Sequence, residues 1–289
     1  MKYVVVLGDG MADRKIESLG GKTCLEYART PNIDSLAPLS EAGMFRTVPE
    51  GFKPGSDVAN MSVMGFNPKK YYTGRSPLEA VAMGIGLKDT DVTLRANLVT
   101  LAGDGAYEEK TMADYSAGEI TTKEARELIE YLDGDGFTLY PGISYRHCLV
   151  AENGVTGHEL TPPHDISDKK ITDYLPKGRC ADRYLALMKR SYELLKDHPV
   201  NVARVRAGKN PANSLWLWGE GTRPSFTPML ELHGLKGAVI SAVDLVKGLG
   251  KVAGMDVIEV EGACGTLNTN FAGKAAAALE AIKDHDFVY

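Results

Sequence analysis

Ser56 follows directly on a Pro54-Gly55 pair, and this is where the residue types first suggest chemistry. Pro-Gly forces a turn, and glycine lets the backbone come close to a ligand. Val58, Met61 and Met64 then recur at helical spacing until Asn67-Pro68 stops the run. A serine at a helix N-terminus sits among unpaired amide N–H groups, whose dipoles favour an anion, and a hydroxyl there can act as a nucleophile toward phosphate. Serine is also a preferred cap, with Asp57 supporting the first turn, so both readings stand. Asp9, between Gly8 and Gly10, follows the apolar run Lys2–Leu7. A carboxylate just past a buried strand suits a hard cation, or it closes its own turn. A metal on Asp9 that also touched Ser56 would lower the hydroxyl's pKa.

Other candidates are cationic or imidazole groups. Arg75, in Tyr72-Thr-Gly-Arg75, can face a phosphate, but pairing with Glu79 is the simpler expectation. Arg146-His147 lies within a strand-like run, and His164-Asp165 follows a stiff Pro-Pro. Such pairs suit oxyanion recognition, although each can equally be structural. Arg223, expected on the Gly-flanked loop Gly219–Pro224, is a better phosphate candidate than Arg75.

The elements that must position these groups follow from periodicity. Lys2–Leu7 reads as a strand buried on both faces, and Met44–Val48 as the next strand, delivering the chain to Ser56. Asp9 and Ser56 would then lie at neighbouring strand ends. From 92 onward strands predominate: Val92–Leu101, Phe137–Tyr140, Ser144–Val150 and Leu215–Trp218, with helices starting near Thr121-Thr122 and across roughly 181–196. After Phe226 helices and strands alternate again: Met229–His233, Gly237–Ser241, Val243–Ala253, Asp256–Val260, then Gly273–Asp284 and a last strand from Asp286. An α/β core over 1–90 and 225–289, interrupted by an α/β domain over 91–224, is the predicted organisation.

The 289 residues, 44% apolar and 25% charged, are those of a globular protein. A net charge of −5 argues against a nucleic-acid groove, and no apolar run is long enough for a membrane span. Cys24, Cys148, Cys180 and Cys264 are scattered, as expected of reduced cytoplasmic thiols, and no signal peptide precedes the first strand. Gly8-Asp9-Gly10 lacks the spacing of a dinucleotide fingerprint.

With Gly8-Asp9-Gly10-Met11, Gly55–Gly65, Gly74–Ala80, Gly142–His147, Pro162–Asp165 and Gly219–Pro224 in one order, the sequence resembles the archaeal-type cofactor-independent phosphoglycerate mutases of the alkaline phosphatase superfamily. The resemblance implies a three-layer alkaline phosphatase-like core with an inserted substrate-binding lid, in a cytoplasmic isomerase of glycolysis. It implies a divalent metal, manganese first and magnesium or zinc as alternatives, bound by Asp9 and Ser56, and phosphoglycerate as the small-molecule partner. Ser56 would carry the phosphoryl group, Lys247 would be an active-site lysine, and Arg146, His147, His164, Asp165 and Arg223 would bind substrate. A homoserine kinase-like or phosphatase-type phosphotransferase, or an inactive metabolite-binding relative, are the alternatives on this scaffold. The family's Asp-x-x-x-His and Asp-His metal motifs are missing here, so the chain reads as a C-terminally truncated piece of a longer protein.

Overall fold

In the computed structural model, which describes every residue except Asp133 and Asp135, the longest strand organises an antiparallel sheet. Val92–Ala102 (β2) pairs with Arg146–Ala151 (β5) along one edge and with Ser214–Thr222 (β6) along the other. Thr138–Tyr140 (β4) extends the sheet beyond β5, and Thr111–Asp114 (β3) joins the far end of β2 after a register shift at Thr100/Leu101. Having neighbours on both edges explains why β2 is buried from Val92 to Leu101. Val92, Leu94, Ala96 and Leu98 pack with Leu128 and Ile129 of Thr122–Leu132 (α6) and with Leu187 and Met188 of Ala181–Leu195 (α7). A capping box starts α6: the Glu124 amide donates to Thr121 Oγ1 at 3.3 Å, and the Thr121 amide donates to the Glu124 carboxylate at 3.2 Å. Pro199–Arg206 (α8) follows α7, and its Asn201 ties the Leu195 and Ala212 carbonyls together at 2.8 and 2.9 Å.

A second sheet is wholly parallel. Its order is Tyr3–Val4 (β1), Phe287–Val288 (β9), Gly237–Val239 (β7), Asp256–Val257 (β8). One face carries Ser56–Val63 (α3) and Asp244–Val252 (α10), whose Met61, Leu245 and Leu249 pack with Val239 and Phe287. Phe271–Asp284 (α11) covers the other face through Ala281, against Ala238 and Val288. Helix–sheet–helix is the three-layer plan expected. Cys24–Tyr27 (α1), Pro31–Leu36 (α2), Pro68–Tyr71 (α4), Ser76–Ala82 (α5) and Met229–His233 (α9) complete the α-helices among the described residues.

Between the two sheets lies α5, against both β2 and α10. The α10 contact is close enough that a side chain on Gly248 would stand 1.9 Å from the Leu78 carbonyl oxygen. On its other side, Ala80 of α5 packs with Cys148 and Val150 of β5.

Three sequence expectations need correction. Met44–Val48 is no strand, and Met44 and Phe45 are exposed; the parallel sheet ends at β1, whose outer edge carries no partner strand among the described residues. The first strand is two residues long and exposed, because β9 supports it on one edge only. Gly219–Thr222 belongs to β6 rather than to a loop. Gly221 serves a close crossing there: a side chain would meet the Thr73 carbonyl oxygen at 2.5 Å and Gly74 Cα at 2.8 Å.

Candidate active site

A cavity of about 590 Å³ opens at the end of the parallel sheet. Asp9 and Ser56 both line it, with Asn60, Ser241 and Tyr289 nearby, so the pair is brought together without the second strand that the sequence suggested. Gly55 holds the cap position of α3 in extended conformation, and Ser56 is the first helical residue. Ser56 is therefore not the cap. Asp57 turns away: one carboxylate oxygen accepts from Tyr72 Oη at 2.5 Å and the other from the Val58 amide at 2.9 Å. Burial, then the Asp57 charge, push the Tyr72 phenol far above its usual range, so it remains a donor.

Behind Ser56 runs a short relay. Asn60 Nδ2 donates to the Ser56 carbonyl at 2.6 Å, and Tyr289 Oη donates to Asn60 Oδ1. Burial, then the negative charge of Asp9, raise the Tyr289 phenol to about 12. Asn60 and Tyr289 escaped the sequence reading. Asn60 follows Ser56 by one helical turn, which could have flagged it, but nothing local marks Tyr289.

The donors do not by themselves fit a divalent cation. Asp9 and Ser56 supply two oxygens, and no group of three or more His, Cys, Asp or Glu side chains occurs among the described residues. A site for such an ion needs four to six ligands.

Next to this cavity is a smaller one of about 120 Å³, and Ala242, Val243, Leu245 and Gly265 line both. Arg146 and His147 line the small cavity with Arg75, Arg95, Glu79 and Asp244. Glu79 bridges two guanidiniums, at 3.1 Å to Arg75 Nε and 2.9 Å to Arg95 Nε. The expected Arg75–Glu79 pairing is thus present, at the wall of a cavity. Arg95 lies 4.3 Å over the Trp218 ring and Arg75 6.0 Å from it. Burial lowers the Arg95 pKa, while Glu79 opposes that shift. Asp244 is pushed up, mainly by burial and then by the charge of Glu79.

His147 is 3% exposed, and its Nδ1 accepts from the Gly142 amide at 3.0 Å. Burial, then the charges of Arg126 and Arg146, take its pKa down to about 3. The ring is neutral, its proton is on Nε2, and Nε2 has no hydrogen-bonding partner among the described residues.

The remaining sequence candidates line neither cavity. His164 and Asp165 share one 3₁₀ turn with His164 Nε2 3.6 Å from Asp165 Oδ1, and the His164 ring meets Trp218 edge-on at 5.4 Å. Lys247 pairs with Glu259 at 2.6 Å, and Arg223 with Asp89 at 2.7 Å. Arg95 and Asp244 were missed by the sequence reading, which named Glu79 only as the partner of Arg75. A charge inside the apolar run Val92–Leu101 was the available signal for Arg95.

These features define an α/β protein with a helix-terminal serine and an adjoining arginine-lined pocket. The family model for 2,3-bisphosphoglycerate-independent phosphoglycerate mutase matches residues 37–201. A Methanosarcina barkeri protein named as that mutase is 53% identical over 100% of this chain and 72% of its own length. A Geobacter sulfurreducens protein named as a probable one is 54% identical over 100% and 73%. Among solved structures, a Pyrococcus horikoshii protein superposes with a TM-score of 0.77 at 30% identity, covering 99% of this chain and 69% of its own. The cofactor-independent phosphoglycerate mutase of Thermoplasma acidophilum gives 0.55 at 30% identity, covering 100% and 77%. The chain belongs to the 2,3-bisphosphoglycerate-independent phosphoglycerate mutase family.

Proposed function

We propose that this chain carries the serine and the substrate-orienting residues of a phosphoglycerate mutase, an isomerase that interconverts 3-phosphoglycerate and 2-phosphoglycerate through a phosphoserine. The observation that carries this reading is Ser56 at the first position of α3, in one cavity with Asp9 and beside the arginine pocket. In the reaction, Ser56 Oγ attacks phosphorus, the ester bond to the C3 oxygen breaks, and the serine proton ends on that oxygen. The glycerate turns within the cleft, and its C2 hydroxyl attacks the phosphoserine and returns a proton to Ser56. No water enters the balance, so a closed cleft favours transfer over hydrolysis.

Residues 1–90 and 225–289 form the serine-bearing core in this reading, and 91–224 the module that covers substrate. Arg146 and His147 bind the glycerate. His164, Asp165, Arg223 and Lys247 take part only if the two parts close further than they do here. A divalent metal, manganese before magnesium or zinc, would draw on Asp9 and Ser56, which supply only part of a full coordination shell; it would supply charge neutralisation at the phosphoryl group. No helix among the described residues is long and apolar enough to cross a membrane.

The test is incubation with 3-phosphoglycerate and manganese, without 2,3-bisphosphoglycerate, followed by mapping of phosphorylated residues. Label on Ser56 and formation of 2-phosphoglycerate are expected. Turnover by Ser56→Ala would refute the mechanism.

A further inference from the structure

We infer that Tyr72 is a positioning residue for Ser56: its hydroxyl fixes the Asp57 carboxylate, and through it ties the first turn of α3 to strand β6 of the other sheet. The inference rests on the reading of Ser56 as the phosphoryl acceptor. Ser56 and Asp57 are neighbours in that turn, yet Ser56 lines the serine cavity and Asp57 does not. The Asp57 side chain folds back over its own backbone instead. A side chain on Gly55 would stand 2.4 Å from Asp57 Oδ1, so glycine at the cap leaves the room that the carboxylate takes. Oδ1 accepts from the Val58 amide at 2.9 Å, and Oδ2 from Tyr72 Oη at 2.5 Å. Asp57 is 6% exposed. A carboxylate so buried that loses a donor keeps the desolvation cost of the freed oxygen, and the turn that carries it must shift to recover water. A shift of about 1 Å at a reacting group is enough to slow a reaction about a hundredfold.

Tyr72 can act as an anchor because its own surroundings are fixed. Thr73 Oγ1 donates to the Thr222 carbonyl at 2.8 Å, and the Thr222 amide donates to the Thr73 carbonyl at 3.2 Å. These two bonds fasten the segment to β6 beside the close crossing of Gly74 and Gly221. The Tyr72 ring meets Phe52 edge-on at 5.9 Å and packs against the core cluster that contains Met61 of α3. The same arrangement keeps the Asp57 charge out of the cavity where a phosphoryl group on Ser56 would stand, so like charges are held apart.

The experiment compares the unmodified chain with Tyr72→Phe, Asp57→Asn and the double variant. Tyr71→Phe is the control, because the Tyr71 hydroxyl donates to Thr227 rather than to α3. Circular dichroism checks that each is folded. One readout is hydrogen exchange of the Val58 amide, followed by NMR without metal. The other is the rate of Ser56 phosphorylation by 3-phosphoglycerate with manganese, across substrate concentrations. Tyr72→Phe is expected to speed Val58 exchange and to lower the maximal phosphorylation rate, each at least about tenfold, with the half-saturating concentration within about twofold. In the Asp57→Asn background the same hydroxyl loss should cost at most about a third as much, since a neutral amide needs the donor less. Unchanged exchange in Tyr72→Phe overturns the inference, and so does a phosphorylation rate within about twofold of the unmodified chain. Equal losses in both backgrounds, or the same losses in Tyr71→Phe, also overturn it. If 3-phosphoglycerate leaves Ser56 of the unmodified chain unphosphorylated, the mutase reading fails and exchange alone decides. Faster exchange in Tyr72→Phe but not in Tyr71→Phe then keeps the anchoring of the turn, and unchanged exchange removes it.

Discussion

Glu79 holds Arg95 by a 2.9 Å ion pair in a place where both side chains are largely removed from water. Breaking such a pair from one side strands the other charge, which costs far more than the pair contributes. Glu79→Ala should therefore lower stability by about 3–5 kcal/mol. Replacing both partners together, Glu79→Gln with Arg95→Met, should cost less than Glu79→Ala alone. Urea unfolding of the three proteins checks this; a double variant as unstable as Glu79→Ala would show that packing, not charge, dominates.

His147 makes stability depend on pH. Its folded pKa, about 3, lies below the unfolded value near 6.5, so the unfolded chain binds the proton first as pH falls. The contribution is complete above about pH 6.5 and is lost progressively toward pH 3, by at most about 1.4 kcal/mol per unit. His147→Gln should flatten that part of the stability profile, measured by denaturant midpoints across the range. An unaltered slope would mean that other groups set it.

Gly248 lets α10 approach α5. A methyl group there meets the Leu78 carbonyl oxygen, a backbone atom that cannot swing aside. Gly248→Ala should cost about 1–3 kcal/mol by overpacking, although alanine is the better helix former. Thermal unfolding is the check, and a stabilised variant would contradict the packing described here.

Ser56→Ala should leave the fold intact, because Gly55 rather than Ser56 occupies the cap position. Its unfolding midpoint should match that of the unmodified chain within experimental scatter, while phosphoenzyme formation disappears. Asp9→Ala, in an exposed loop, should likewise fold and should weaken manganese binding measured by titration; unchanged affinity would count against Asp9 as a ligand.

What the sequence determined by itself is local. Helix starts at Thr121 and Ser56, the strand Val92–Leu101 and the helix near 181–196 are set by caps, turn residues and apolar period, and all are present in the structure. The pairing of Arg75 with Glu79, four residues apart on one helix face, is equally local. Asp9 and Ser56 stood out because each sits beside glycine at the end of a patterned segment.

Only tertiary structure decided the rest. Arg95 belongs to β2, Arg146 and His147 to β5, Glu79 to α5 with Arg75 at its N-cap, and Asp244 to α10, and no spacing along the chain says that these four elements share a cavity. Gly221 looked like loop chemistry until the crossing over Thr73-Gly74 showed it to be a steric requirement. Tyr289 reaches Ser56 through Asn60 because β9 enters the middle of the parallel sheet, between β1 and β7. A strand's own residues encode that it can pair, whereas its neighbours are chosen by the apolar faces and edges of segments far away in sequence. That choice is what joined the arginines to the serine cavity.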